Sequence, residues 1–260
     1  WQDPLPERDY KPISDRDIQR LEAAIEDSGL TNTQLVGTAW ASASTYRGTD
    51  MRGGANGARI RLAPQNQWAI NNPDALAEVI TVLEEVQDEF NSGLSRGKQV
   101  SLADVIVLAG NVGVEQAAEE FGVEVSIPFT PGRVDAIEGS LDDASWSVME
   151  PRHDGFRNYM ADLGFMTPSQ ALIDKADMLN LTVSEMTVLL GGMRAMNANA
   201  DGSDRGVLTD RPGVLSNDFF VNLLDMNTAW GPSSEAYVFE GRDRQTGELK
   251  WTATEFDLVF

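Results

Sequence analysis

The chain has 260 residues, 42% hydrophobic and 23% charged, ordinary globular proportions that exclude a disordered tail, a collagen-like fibre and a coiled-coil rod. It holds no cysteine and a single histidine, His153, which excludes disulfides, thiolate nucleophiles, iron–sulfur clusters and any metal site needing two imidazoles. With 41 acidic against 20 basic residues the net charge is −21; this repels phosphate backbones and anionic lipid, so no nucleic-acid or membrane partner is expected, and it suits a salty medium that screens self-repulsion.

Residues 1–13 contain three prolines and no helical period, and predict an extended interdomain linker. Ser14-Asp-Arg-Asp is a capped helix start, followed by Ile18, Leu21, Ala24 and Ile25 at helical spacing until Gly29. The same grammar recurs at Thr31-Asn-Thr-Gln (through Leu35, Ala39 and Trp40), at Pro73-Asp-Ala-Leu (through Val86) and at Ser101-Leu-Ala-Asp (through Val114). In the last of these, Ala109, Gly110 and Gly113 predict close helix packing. Further helices are predicted from Thr167-Pro-Ser-Gln, from Thr182-Val-Ser-Glu up to Gly191-Gly192, and over Phe219–Met226. Strand alternation appears only late, where Ala236–Glu240 and Leu249–Ala253 flank Gln245-Thr-Gly-Glu as a hairpin. The fold class is therefore mainly α, with about seven or eight helices, a small late β-hairpin and one domain over 14–260. Trp1 in place of an initiator Met, and the amphipathic end Asp257-Leu-Val-Phe260 without a stop signal, lead us to expect a piece of a longer protein, truncated at its C-terminal end.

No segment composes a catalytic constellation on its own. Asn199-Ala-Asp-Gly-Ser-Asp-Arg-Gly has the look of a calcium loop, but Asp204 replaces its turn glycine, Arg205 stands at a ligand position and Asp210 replaces the bidentate Glu. It reads as a solvated turn. Gly53-Gly-Ala-Asn-Gly lacks the strand–turn–helix setting of a phosphate cradle and reads as a loop passing close to other backbone. Glu84, Glu85, Asp88 and Glu89 form a solvated helix face. His153, in Pro151-Arg-His-Asp-Gly, is expected on a loop or at the surface.

Several segments in order carry a resemblance. They are Thr38-Ala-Trp-Ala-Ser-Ala-Ser-Thr-Tyr-Arg-Gly, Arg52-Gly-Gly-Ala-Asn-Gly-Ala-Arg-Ile-Arg, Ser101–Glu115, Phe129-Thr-Pro-Gly-Arg-Val-Asp-Ala, Met186-Thr-Val-Leu-Leu-Gly-Gly-Met-Arg and Val214-Leu-Ser-Asn-Asp-Phe-Phe. Together the chain closely resembles the C-terminal domain of the bifunctional catalase-peroxidases, whose two halves look like a duplication of a class I plant-type peroxidase. The resemblance implies a haem-peroxidase-like helical fold. It implies haem b in the N-terminal half of the parent enzyme and none in this chain. The implied partners are that N-terminal haem domain of the same polypeptide and, in the full-length protein, a second copy in a homodimer. With no apolar run near the ~20 residues of a membrane span and no basic-then-apolar start, a cytoplasmic location is expected. The parent would decompose hydrogen peroxide and oxidise donors.

The family's haem-bearing half writes its distal helix Arg-x-x-Trp-His and its proximal helix Gly-Gly-His. The matching residues here are Gly37, Trp40 and Ala41, and Gly191-Gly192-Met193. The proximal tryptophan position falls on Leu215 and the proximal aspartate position on Asp257. The expectation is a converted pocket: Met193 a core methionine rather than an axial ligand, Leu215 buried packing, Trp40 a buried aromatic, and Asp257 either paired locally or exposed. The chain by itself is expected to be a supporting domain without activity; the alternative is a haem- or small-ligand-binding domain with an activity of its own.

Overall fold

The computed structural model describes residues 3–140, 143–159 and 165–258. Residues 1–2 of the expected linker, and Val259 and Phe260 of the amphipathic end, lie outside the described residues. Among the described residues there are nine α-helices, three short 3₁₀ turns and one three-stranded sheet, in two compact units: Trp1–Glu119 with Glu124–Pro151, and Glu120–Val123 with Arg152–Phe260.

The first unit is helical. It contains α1 (Asp15–Glu26), α2 (Asn32–Ala43), α3 (Pro73–Ser92), most of α4 (Leu102–Glu120) and the short α5 (Asp143–Ser147). Local chemistry sets the helix starts. At α1 the Asp17 carboxylate accepts from the Ser14 amide at 3.1 Å, and at α2 Thr31 and Gln34 exchange hydrogen bonds of 3.0 and 3.3 Å. Helix α4 is buried almost all round, and its glycines let α2 approach: a Cβ on Gly110 would lie 2.5 Å from that of Ala39, and one on Gly113 2.9 Å from Val36 Cγ2. The Phe129–Ala136 segment holds the start of α4. The Asp135 carboxylate accepts from the Leu102 and Ala103 amides at 2.8 Å each, while Asp104 accepts from the Gly132 amide at 2.6 Å and from Arg133 Nη1 at 2.8 Å. A core of Leu21, Ile25, Leu35, Leu83, Ile106 and Leu108, with its neighbours, fills the unit.

Residues 3–13 form no helix, and they are tied to this unit rather than free. Lys11 bridges Gly97 and Gln99 through backbone hydrogen bonds of 2.9 and 3.1 Å, Tyr10 donates to the Arg133 carbonyl at 3.2 Å, and Asp3 is paired with Arg52 at 2.8 Å.

The second unit holds α6 (Pro168–Met178), α7 (Val183–Ala195), α8 (Asp218–Leu223), α9 (Glu255–Leu258) and the antiparallel sheet β1 (Thr228–Pro232), β2 (Val238–Asp243) and β3 (Leu249–Thr254). Helices α6 and α7 begin with the reciprocal caps Thr167/Gln170 and Thr182/Glu185. The predicted hairpin is present. Its turn is closed by Asp243, whose carboxylate accepts from the Gln245 and Thr246 amides at 2.8 and 2.9 Å. Strand β1 carries Gly231 and Pro232, poor strand formers, and exists because β2 pairs with it, Trp230 opposite Gly241. Helix α8 stops short of the predicted Met226. There Asp225 turns its carboxylate to the Asn227 amide (3.0 Å), the Thr228 hydroxyl (3.1 Å) and Lys250 Nζ (3.1 Å), ending the helix and starting β1.

Candidate functional site

In the first unit, Gly37, Trp40 and Ala41 stand at i, i+3 and i+4 of α2 and so share one face of it. A side chain at Gly37 would meet nothing within 4 Å. Ala41 is buried, and its carbonyl accepts from Gln65 Nε2 and Ser44 Oγ at 3.2 Å each. Trp40, expected as a buried aromatic, is half-buried. This face offers an indole, a methyl and a bare backbone; it has no group that moves a proton or stabilises developing charge.

In the second unit, Met193 on α7 is buried at 7% exposure. The glycines before it make room for neighbours. A Cβ on Gly191 would lie 2.3 Å from Phe220 Cζ, and one on Gly192 3.6 Å from Leu215 Cδ1. Phe220 and Phe219 form an edge-to-face pair with ring centroids 5.2 Å apart against this stretch. Leu215 therefore packs on α7, but it is half-buried rather than enclosed as expected.

Asp257 resolves its two readings in favour of local pairing. It is 1% exposed, and its carboxylate accepts from Arg194 Nε at 2.7 Å, Arg194 Nη2 at 2.9 Å, the Thr254 amide at 2.8 Å and the Thr254 hydroxyl at 2.9 Å. Arg194 is 0% exposed, and each of its three side-chain nitrogens has an acceptor. Beyond Asp257 its acceptors include the Phe156 carbonyl (2.7 Å), Asn158 Oδ1 (2.8 Å), Asn199 Oδ1 (2.9 Å) and the Arg205 carbonyl (2.8 Å). The turn that looked like a calcium loop does gather oxygens around a cation, and the cation is this guanidinium. Sequence reasoning passed over Arg194; the available signals were its place beside Met193 and the misfit of Arg205 in that loop.

His153 lies in a loop, as expected, but is not at the surface: it is 5% exposed. Its Nε2 is 3.6 Å from Asp174 Oδ2, and its Nδ1 has no acceptor. Burial lowers its pKa, with Asp174 opposing. Lys175, next along α6, is also buried, and desolvation brings its pKa down to about 8.

A model of the peroxidase family matches residues 18–260. The chain belongs to the peroxidase family. It is 58% identical to a catalase-peroxidase of Bradyrhizobium sp. (strain ORS 278), over all of this chain and 36% of that protein. It is 59% identical to a catalase-peroxidase of Hahella chejuensis over 36% of it, and 58% identical to one of Shewanella woodyi over 35%. The chain thus spans about a third of the length of the curated relatives it matches.

A haem of the peroxidase type needs a proximal imidazole whose other N–H is held by a carboxylate, with an acid–base group and a cation on the distal side. The residues here do not fit that group. Met193 offers a thioether, Gly37 and Ala41 offer nothing, and the Asp257 oxygens are committed to Arg194 and Thr254. Among the described residues no cluster of three or more His, Asp or Glu is placed to hold a metal ion, and no helix is long and apolar enough to cross a membrane.

Proposed function

We propose that this chain is the haem-less C-terminal portion of a catalase-peroxidase and that it serves its parent as a scaffold. The parent decomposes hydrogen peroxide and oxidises donors with haem b in its N-terminal half. This chain packs against that half, keeps its active site in register and contributes to a cytoplasmic homodimer. The observation that carries the reading is the closed circuit around Asp257. A proximal carboxylate works by accepting the imidazole N–H of the iron ligand. This one accepts four hydrogen bonds from Arg194 and Thr254 and serves as counter-ion to a buried guanidinium. The replacements at Gly37, Ala41 and Met193 point the same way. A domain without chemistry still acts on a neighbour if it binds one conformation of that neighbour more tightly than others, and a covalent tether raises its effective concentration there.

The test expresses the haem-bearing remainder of the parent with and without this portion supplied in trans. Binding should shift the remainder's haem ligation spectrum and peroxide turnover toward those of the intact enzyme. A remainder that already matches the intact enzyme in both would refute the supporting role. Hemin mixed with this chain alone should give no stoichiometric Soret band; a saturable one-to-one spectrum with peroxide turnover would refute the haem-less reading.

A further inference from the structure

Three arginines are buried among the described residues. Arg157 is paired with Asp154 and Arg194 with Asp257. Arg59, 4% exposed, has no carboxylate partner. Its Nη1 donates to the Asn56 carbonyl at 2.8 Å, and its Nη2 reaches the Asp3 and Pro4 carbonyls at 3.3 and 3.4 Å. Its Nε–H has no acceptor. Against it lies Trp146 of α5, 1% exposed, with the Arg59 guanidinium carbon 5.0 Å from its ring centroid. The Trp146 indole N–H is also without an acceptor. Two neighbouring buried donors are therefore unsatisfied, one of them on a cation.

The surrounding charges do not neutralise that cation. Asp3 is held by both Nε and Nη2 of Arg52, at 3.2 and 2.8 Å, and Arg47 is closed on Asp50. Among the described side chains the local sum is Arg52 and Arg59 against Asp3, one positive charge in excess. Burial weakens the hold of Arg59 on its proton; Asp3 opposes this and Arg52 adds to it.

We propose that Arg59 and Trp146 form a binding site for a small monovalent anion of the halide class, held between the Arg59 Nε–H and the Trp146 Nε1–H. An anion supplies what both donors lack and the charge that the site lacks; a water would supply only the first. The class follows from charge and donor number. One positive charge is balanced by a monovalent ion, and two N–H groups satisfy a monatomic acceptor but would leave most oxygens of a phosphate unpaired. The same guanidinium holds the carbonyls of residues 3 and 4, so the anion links the N-terminal segment to α5.

The test uses the full polypeptide that carries this chain. Crystals grown in bromide should show an anomalous peak within hydrogen-bonding distance of both nitrogens. Thermal stability should rise saturably with bromide or chloride, measured against gluconate at equal ionic strength. Trp146→Phe keeps the ring and loses one donor to an ion, so it should raise the half-saturating bromide concentration about tenfold or more. Arg59→Met should abolish the halide-specific rise. A feature at the site that shows no bromide signal, or a halide-specific rise unchanged in Arg59→Met, overturns the proposal. The crystallographic arm decides the matter even if a variant does not fold.

Discussion

Replacing Arg194 by Met asks how much the buried ion pair holds together. The side chain is fully enclosed, so the variant strands the Asp257 carboxylate with only Thr254 as donor, and it removes the donor shared by the Phe156 and Arg205 carbonyls and the Asn158 and Asn199 amides. Breaking a buried, fully hydrogen-bonded pair from one side costs about 3–5 kcal/mol, because the remaining charge is neither solvated nor paired. Against a total stability of roughly 5–15 kcal/mol this is a large fraction. Urea unfolding followed by tryptophan emission should show the midpoint falling by on the order of 1–3 M. The double-mutant cycle with Asp257→Asn separates pair from bystanders. If the carboxylate is stabilised chiefly by Arg194, the double variant is less destabilised than the sum of the singles, by about 0.5–3 kcal/mol. A single-variant loss below about 1 kcal/mol, or strict additivity, would refute the reasoning.

The neighbouring sites give further expectations. Met193→Ala should cost about 2–5 kcal/mol if the thioether is core, and an unchanged urea midpoint would show that it is not. Gly206→Ala adds a Cβ 2.3 Å from the Arg194 guanidinium carbon at a backbone φ of 81°, so it should destabilise at least as much as a typical overpacked core, about 1–3 kcal/mol, by the same urea assay. His153 is held neutral by burial, its folded pKa lying below the ordinary 6.5; the unfolded chain therefore binds the proton first, and stability complete above pH 6.5 should fall as the pH drops below it. Urea midpoints at pH 7.5 and 5.5 should differ more in the wild type than in His153→Gln. Lys175 titrates at about 8 folded against 10.5 unfolded, so its burial penalty should be relieved, and stability should rise, as pH climbs from 8 to 10.5; Lys175→Met should flatten that rise.

The sequence by itself determined the elements whose signals are local. Thr31 with Gln34, Thr167 with Gln170 and Thr182 with Glu185 cap their helices over three residues, and the Asp243–Gly247 turn closes over four; such contacts form wherever the chain goes next. The small residues Gly110 and Gly113 announced a close helix neighbour because nothing larger fits there. The expectation at Gly37, Ala41 and Met193 rested on the resemblance, since only the family's haem-bearing half says that a guanidinium or an imidazole would stand there. Tertiary structure alone decided what replaced them. Arg194 meets Asp257 across 63 residues and the Gly155 and Phe156 carbonyls across 39 and 38, and no periodicity reports such a meeting. Strand β1 owes its form to its pairing with β2, against the preference of its own Gly and Pro. His153 is polar and sits in a loop, which by itself favours the surface; it is buried, with Asp174 of α6 3.6 Å from its Nε2. Polar residues carry no internal record of whether a partner awaits them, and burial becomes affordable only once distant segments bring that partner into place.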